Sequence, residues 1–150
     1  MKIVYSKYRT TKDVSLFTGF VLSGRDKVST RGFELGVIKD HAVFLASAGY
    51  YASSEFLFNR NGFLMGPKIG GYVSFFIGCV GSEIVFYNDF KSSSIHFVPY
   101  GGLGFAGARI TAGPHIPLYN KGFKGKRYFS INISINIFNI SKKKFYWKNR

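Results

Sequence analysis

The chain has 150 residues, enough for one domain, and 46% of them are apolar while only 19% are charged, which excludes an intrinsically disordered protein. No stretch approaches the roughly 18 unbroken apolar residues of a transmembrane helix, so none is predicted. Glycine is abundant with 18 residues and proline is scarce with 4, a composition that favours many strands and tight turns.

Eight strands are predicted in chain order, and no helical periodicity with capping residues competes with them. Their approximate ranges are 14–24, 31–39, 43–58, 63–76, 79–88, 94–106, 108–118 and 127–138. A single domain therefore covers residues 1–138, of which 1–13 are expected to be irregular at least in part. Residues 139–150 are predicted to form a basic, aromatic C-terminal tail.

The predicted connections alternate in length along the chain. Those after the first, third, fifth and seventh strands are polar and longer, whereas Asp40–Ala42, Ile77–Gly78 and Gly107 are short. Outer-membrane barrels place short turns on the periplasmic side and longer loops outside. The predicted fold is therefore all-β, an antiparallel up-and-down β-barrel of the outer-membrane type.

The last predicted strand alternates most regularly between two kinds of side chain. One face carries Phe129, Ile131, Ile133, Ile135 and Ile137, and the other carries Tyr128, Ser130, Asn132, Ser134 and Asn136. Across the strands the polar face consists mainly of small residues and tyrosine, which fit the crowded interior of an eight-stranded barrel. We therefore predict that the apolar face, Phe129 to Ile137, contacts lipid. The alternative is a soluble, lipocalin-like barrel that encloses an apolar ligand and holds these isoleucines inside.

A few ionic residues fall on the predicted polar face. Because buried charges need partners, we predict an interior network of ion pairs and hydrogen bonds, helped by tyrosine hydroxyls. Its predicted members are Glu34, Glu55, Lys68, Glu83, His96, Arg109 and His115. The alternative is that the charged members are solvated residues on the surface of a soluble sheet.

Aromatic residues cluster near the predicted strand ends, as in the aromatic girdles of outer-membrane barrels. The clusters are Phe56, Phe58 and Phe63, then Phe86, Tyr87 and Phe90, and finally Tyr119 and Phe123. A cluster of core phenylalanines is the alternative interpretation.

The formal net charge of +14 makes nucleic acid a partner to consider. Lysine and arginine concentrate near the N-terminus, in the predicted connections and in the tail, and no basic sheet face or RNA-binding aromatic motif is present. We therefore expect no nucleic-acid partner. The basic loops fit anionic lipid head groups and lipopolysaccharide phosphates instead. A genome rich in lysine, isoleucine and asparagine is an alternative source of the charge.

Several segments resemble small outer-membrane barrels of the Bacteroidetes type. They are Gly49–Asn59, Gly66–Gly70, Tyr87–Lys91, Pro99–Gly104 and Pro114–Leu118, so the resemblance covers about residues 44–138. It implies an eight-stranded outer-membrane barrel, often of unassigned function. The chain departs from this pattern because it runs past Phe138, where a terminal aromatic residue is expected. Met1–Ser23 also lacks the apolar run of a signal peptide, so an outer-membrane location requires a processed or truncated form.

No motif for catalysis or metal binding stands out. His41, His96 and His115 lack metal-ligand spacing, Cys79 is the only cysteine, and no G-x-S-x-G motif is present, so no metal or cofactor is predicted. We predict a non-enzymatic outer-membrane barrel with a structural or interaction role and an unknown protein partner. An outer-membrane enzyme that modifies lipids, using His96 or His115, is the alternative.

Overall fold

The computed structural model describes residues 9–25, 28–43, 45–59, 62–88, 92–105, 107–121 and 129–146. These residues form nine strands: β1 (Arg9–Arg25), β2 (Val28–Val43), β3 (Ala46–Asn59), β4 (Gly62–Phe75), β5 (Gly78–Asn88), β6 (Ser93–Phe105), β7 (Ala108–Pro114), β8 (Ile116–Lys121) and β9 (Phe129–Tyr146). Within these ranges no helix is long and apolar enough to cross a bilayer.

The sheet closes on itself. Strands β1 to β6 each pair antiparallel with the next, and β9 pairs with β1 on one side and β7 on the other. Strands β7 and β8 both pair with β6 and are separated only by His115, so together they fill one position of the barrel. The structure thus confirms the predicted antiparallel up-and-down barrel with eight positions.

The register shows that the strands are tilted. A line of paired residues leaves β2 at Val43, crosses the other seven positions of the barrel and returns to β2 at Phe33. Phe33 is ten residues closer to the start of β2 than Val43. The line passes through Ala46, Phe75, Gly78, Leu103, Ile110, Ile133 and Phe20. Closing a sheet into a barrel requires such an offset. From β2 to β6, a row of paired residues therefore climbs from the end with the short turns toward the end with the long connections.

The short turns lie at one end and bond to each other. Phe76 and Ile77 join β4 to β5, and the Phe76 N–H donates to the carbonyl of Leu45 over 2.7 Å. Gly107 starts the turn into β7 with φ of 87°, a conformation that glycine adopts without strain. The predicted turn at Asp40–Ala42 is wrong, because these residues pair with Ser47–Gly49 and β2 continues to Val43.

Both ends of the chain add strand beyond the predicted limits. Strand β1 begins at Arg9, inside the segment expected to be irregular, and β9 continues through Tyr146, so most of the predicted tail is strand. The two extensions pair with each other from Arg9 with Tyr146 to Asp13 with Lys142, and each satisfies backbone hydrogen bonds of the other. Register shifts between Val14 and Ser15 and between Leu16 and Phe17 accommodate them.

Large apolar side chains point outward from every position of the barrel. The predicted lipid-facing residues are among them: Phe129, Ile131, Ile133, Ile135 and Ile137 are 39% to 63% exposed. At the end with the long connections, the rings of Phe33, Phe56, Phe58 and Phe63 pack against one another across β2, β3 and β4, with centroids 5.0 to 6.3 Å apart. Tyr87, assigned to an aromatic girdle from the sequence, points inward instead and is fully buried. Phe90 and Phe123 lie outside the described residues.

Candidate functional site: the barrel interior

A buried ion cluster lies in the middle of the barrel and is built around Lys68 of β4. The Lys68 Nζ is 2.9 Å from Glu55 Oε1, 3.0 Å from Glu34 Oε2 and 3.2 Å from Glu83 Oε2. None of the four side chains is more than 9% exposed. They come from the four consecutive strands β2 to β5, and strand alternation points all of them inward. The structure therefore brings together four of the five predicted charged residues.

Neutral donors also bond to the carboxylates of the ion cluster. The Tyr51 hydroxyl donates to Glu83 Oε2 over 2.5 Å, and the Ser53 hydroxyl donates to Glu34 Oε1 over 2.6 Å. The Asn132 amide also donates to Glu34. Such bonds compensate for the desolvation of buried carboxylates, whose burial is otherwise unfavourable. Ser53 and Asn132 were not among the predicted members of the network, although strand alternation places both on the inward face.

Glycines opposite the tyrosine rings make room for this packing. A Cβ atom on Gly70 would lie 2.7 Å from the Tyr51 hydroxyl oxygen, closer than real Cβ atoms approach. The Tyr51 hydroxyl in turn lies 3.2 Å from that of Tyr100, which donates to the Gly71 carbonyl. The chain of tyrosines thus extends the network from the ion cluster to the wall.

Arg109, the fifth predicted charged residue, has a different environment. Its guanidinium lies 4.7 Å from the ring centroid of Tyr72 and 5.6 Å from those of Phe17 and Tyr51. Among the described residues it forms no ion pair with a carboxylate. Arg109 therefore binds aromatic faces in a cation–π arrangement, on the short-turn side of the ion cluster. This aromatic contact was not predicted from the sequence, which suggested an ion pair for Arg109.

The two predicted histidines lie toward the long connections and meet at Tyr87. The His96 and His115 rings are 5.3 and 6.0 Å from the Tyr87 ring and 5.6 Å from each other. The Tyr87 hydroxyl donates to Glu55 Oε2 over 3.3 Å, which connects this layer to the ion cluster. His96 Nε2 is 2.8 Å from the Ser94 hydroxyl, and both residues are buried and point inward.

The interior is filled rather than open. The free space beside the ion cluster measures about 20 Å³, close to the volume one water molecule requires. Apolar residues close it toward the long connections, where Val21, Leu57, Leu64, Val85 and Val98 form a buried cluster with Tyr87. Within the described ranges, no group of three or more metal-binding residues lies together. The described side chains therefore pack tightly around the ion cluster and connect the strands to one another.

A separate cavity opens at the end with the short turns. It measures about 300 Å³ and is lined by Asp40, Tyr72, Cys79, Arg109 and Asn136, among others. Asp13 and Asp40 face each other across β1 and β2, and one oxygen of each is buried without a hydrogen-bond partner among the described residues. This acidic pair was not predicted from the sequence, because Asp13 was expected in an irregular segment and Asp40 in a turn.

No protein-family model, curated protein or solved structure matches this chain.

Proposed function

We propose that this chain is a non-enzymatic β-barrel of a bacterial outer membrane with a structural or interaction role. The observation that carries the proposal is the distribution of polarity: an ion cluster with its hydroxyl partners occupies the middle of the interior, and isoleucine, leucine, valine and phenylalanine cover the outside. A soluble monomer rarely exposes a contiguous apolar patch of more than a few hundred Å². Hydrocarbon, in contrast, is a favourable environment for this surface.

The charges of the described strands support the same location. All five acidic residues within the described ranges lie on inward-facing positions: Asp13, Glu34, Asp40, Glu55 and Glu83. Among the residues whose side chains the structure describes, the outward lysines Lys12 and Lys39 lie near the end with the short turns, and Arg31 lies near the other end. Cations at the two rims of an apolar band suit the anionic head groups of a bilayer.

The lipocalin-like alternative fits the interior poorly. In a lipocalin-like barrel Ile131, Ile133 and Ile135 would line an apolar ligand cavity, but all three point outward. The free space beside the ion cluster is far smaller than the roughly 300 Å³ that small-molecule sites occupy. The cavity at the end with the short turns reaches about 300 Å³, but the charged residues Asp40 and Arg109 line it, which suits an apolar ligand poorly.

The lipid-modifying alternative needs a nucleophile or base that an acyl chain can reach. The Ser94 hydroxyl is fully buried and lies 2.9 Å from the Tyr119 carbonyl, an acceptor for its hydrogen. His96 and His115 are also buried and face the interior rather than the apolar outer wall. These placements favour a packing role for the histidines and support the non-enzymatic proposal.

Lipid and lipopolysaccharide contacts through the basic loops belong to the proposal as well. Of the basic residues predicted for them, Lys27, Lys124, Lys126 and Arg127 lie outside the described residues. Arg31 is described, and it is exposed at the end with the long connections. No nucleic-acid contact is proposed.

The test is to fold the urea-denatured chain into vesicles of phosphatidylethanolamine and phosphatidylglycerol. A folded membrane barrel does not unfold in sodium dodecyl sulfate until the sample is heated, so we expect the unboiled and boiled samples to migrate differently on a gel. The folded species should also stay in the vesicles after a carbonate wash. A chain that remains monomeric in buffer without detergent, and whose mobility does not change on boiling, would contradict the proposal.

A further inference from the structure

The outer wall carries a shallow groove with a volume of about 590 Å³. Its floor consists of the small residues Ala52, Gly71 and Ser82 on β3, β4 and β5. The side chains of Ile69, Ile84 and Phe97 border it toward the long connections. Most of its lining is therefore apolar, and it lies on the face that we propose to contact lipid.

The groove follows a row of paired residues. Lys39 pairs with Tyr50, Tyr50 with Gly71, and Gly71 with Ser82. Three strand spacings make the row about 14 Å long. Because rows climb from β2 to β6, its Lys39 end is nearer the short turns and its Ser82 end is nearer the middle of the barrel. With the strands tilted by about 35–45°, the row rises about 8–10 Å along the membrane normal, which lies within one leaflet of the roughly 30 Å hydrocarbon core.

The lower end of the groove is cationic. The Lys39 Nζ lies 5.6 Å from the centroid of the Tyr50 ring, so the lysine extends along the wall over an aromatic face. Lys12 and His41 form a cross-strand pair on the neighbouring outward positions. No acidic residue of the described ranges points outward there. The apolar lining of the groove thus suits an acyl chain, and the positive charge of Lys39 suits a phosphate at one end of that chain.

We infer that this groove binds one acyl chain of an anionic glycerophospholipid, whose phosphate pairs with Lys39. The inference rests on the proposed membrane location. In an outer-membrane barrel the short turns face the periplasm, so the ligand belongs to the periplasmic leaflet. There the phosphate lies at the level of Lys39 and the chain runs up the groove toward the bilayer centre.

Filling the groove tests the inference. A Cβ atom on Gly71 meets only the Gly49 carbonyl oxygen, at 3.5 Å, so the side chain of Gly71→Leu can occupy the groove without disturbing the barrel. Gly101→Leu is the matched control, because Gly101 does not line the groove and its Cβ meets only the Cys79 carbonyl oxygen, at 3.9 Å. Each variant is folded into the same phosphatidylethanolamine and phosphatidylglycerol vesicles and extracted in mild detergent, and retained lipid is counted by native mass spectrometry.

We expect Gly71→Leu to retain at least fivefold less phosphatidylglycerol than the unmodified barrel. Gly101→Leu should retain as much phosphatidylglycerol as the unmodified barrel. Lys39→Gln should abolish the preference for phosphatidylglycerol over phosphatidylethanolamine. Equal retention of phosphatidylglycerol by the two leucine variants would show that the groove does not bind the acyl chain. An unchanged lipid preference in Lys39→Gln would show that Lys39 does not pair with the phosphate. The heat-dependent gel shift of the same samples separates the two proposals: a shift without lipid retention refutes only this inference, and the absence of any shift refutes the membrane location as well.

Discussion

Lys68 Nζ lies 3.0 Å from Glu34 Oε2, although β3 separates their strands in the sheet. The contact crosses the barrel interior, so it fixes the curvature of the wall and not merely the pairing of neighbours. Glu55 and Glu83 reach the same ammonium group from β3 and β5. One lysine thus connects four consecutive strands at a point from which water is largely excluded.

Replacing Lys68 with methionine should destabilise the barrel strongly. The change leaves three carboxylates in the interior without their cation, and breaking a buried ion pair costs about 3–5 kcal/mol. The free energy of unfolding, measured by urea titration of the folded barrel in micelles, should fall by this amount. Lowering the pH should shrink the deficit, because protonated carboxyl groups no longer repel one another.

Lys39→Met is the control for this prediction, because it removes an outward lysine of the same length. It should change the free energy of unfolding by no more than about 0.5 kcal/mol. Similar losses in the two variants would show that the ion cluster does not stabilise the fold.

Two adjacent glycines on β4 should respond oppositely to alanine. A methyl group on Gly70 would lie 2.7 Å from the Tyr51 hydroxyl, whereas one on Gly71 would meet only a carbonyl oxygen at 3.5 Å. Overpacking costs about 1–3 kcal/mol, so Gly70→Ala should lower the urea midpoint. Gly71→Ala should leave it unchanged or raise it slightly, because alanine restricts the unfolded chain. Equal urea midpoints for Gly70→Ala and Gly71→Ala would contradict the close packing of Tyr51 against Gly70.

Alternation in the sequence predicted which residues face inward. It placed Glu34, Glu55, Lys68 and Glu83 on one face, since a strand has a period of two whatever its partners are. It did not predict that three carboxylates share Lys68, because that contact depends on the register of four strands, and the register depends on turns. The turn expected at Asp40–Ala42 in fact lies beyond Val43, which changes every pair between β2 and β3.

The ends of the chain were harder to predict for another reason. Lys142, Lys143 and Lys144 break the apolar alternation that marks the rest of β9. Their strand conformation depends on backbone pairing with Thr11–Asp13, which are distant in the sequence. The position of Arg109 likewise depends on Phe17 and Tyr72, which three-dimensional closure brings to it.

Arginine at two equally exposed isoleucines should distinguish a membrane barrel from a soluble one. Ile133 in the middle of the wall and Ile77 in a short turn are both 47% exposed. In a bilayer, Ile133→Arg should cost about 2–4 kcal/mol and Ile77→Arg about 0–1 kcal/mol, because the penalty depends on depth. Unfolding in vesicles measures both. If neither substitution changes stability, the outer wall faces water.

The stacking of Arg109 on Tyr72 should be measurable as a coupling between the two residues. Arg109→Lys keeps the charge but loses the planar group that lies 4.7 Å from the ring centroid, and Tyr72→Leu removes the ring. A desolvated cation–π contact contributes up to about 2 kcal/mol. The loss in the free energy of unfolding of the double variant should therefore be smaller than the sum of the two single losses, by about 0.5–2 kcal/mol. A second cycle that combines Arg109→Lys with Leu64→Ala, in the apolar cluster toward the long connections, should be additive. Additivity in both cycles would mean that Arg109 stabilises the interior through its charge and not through the aromatic face of Tyr72.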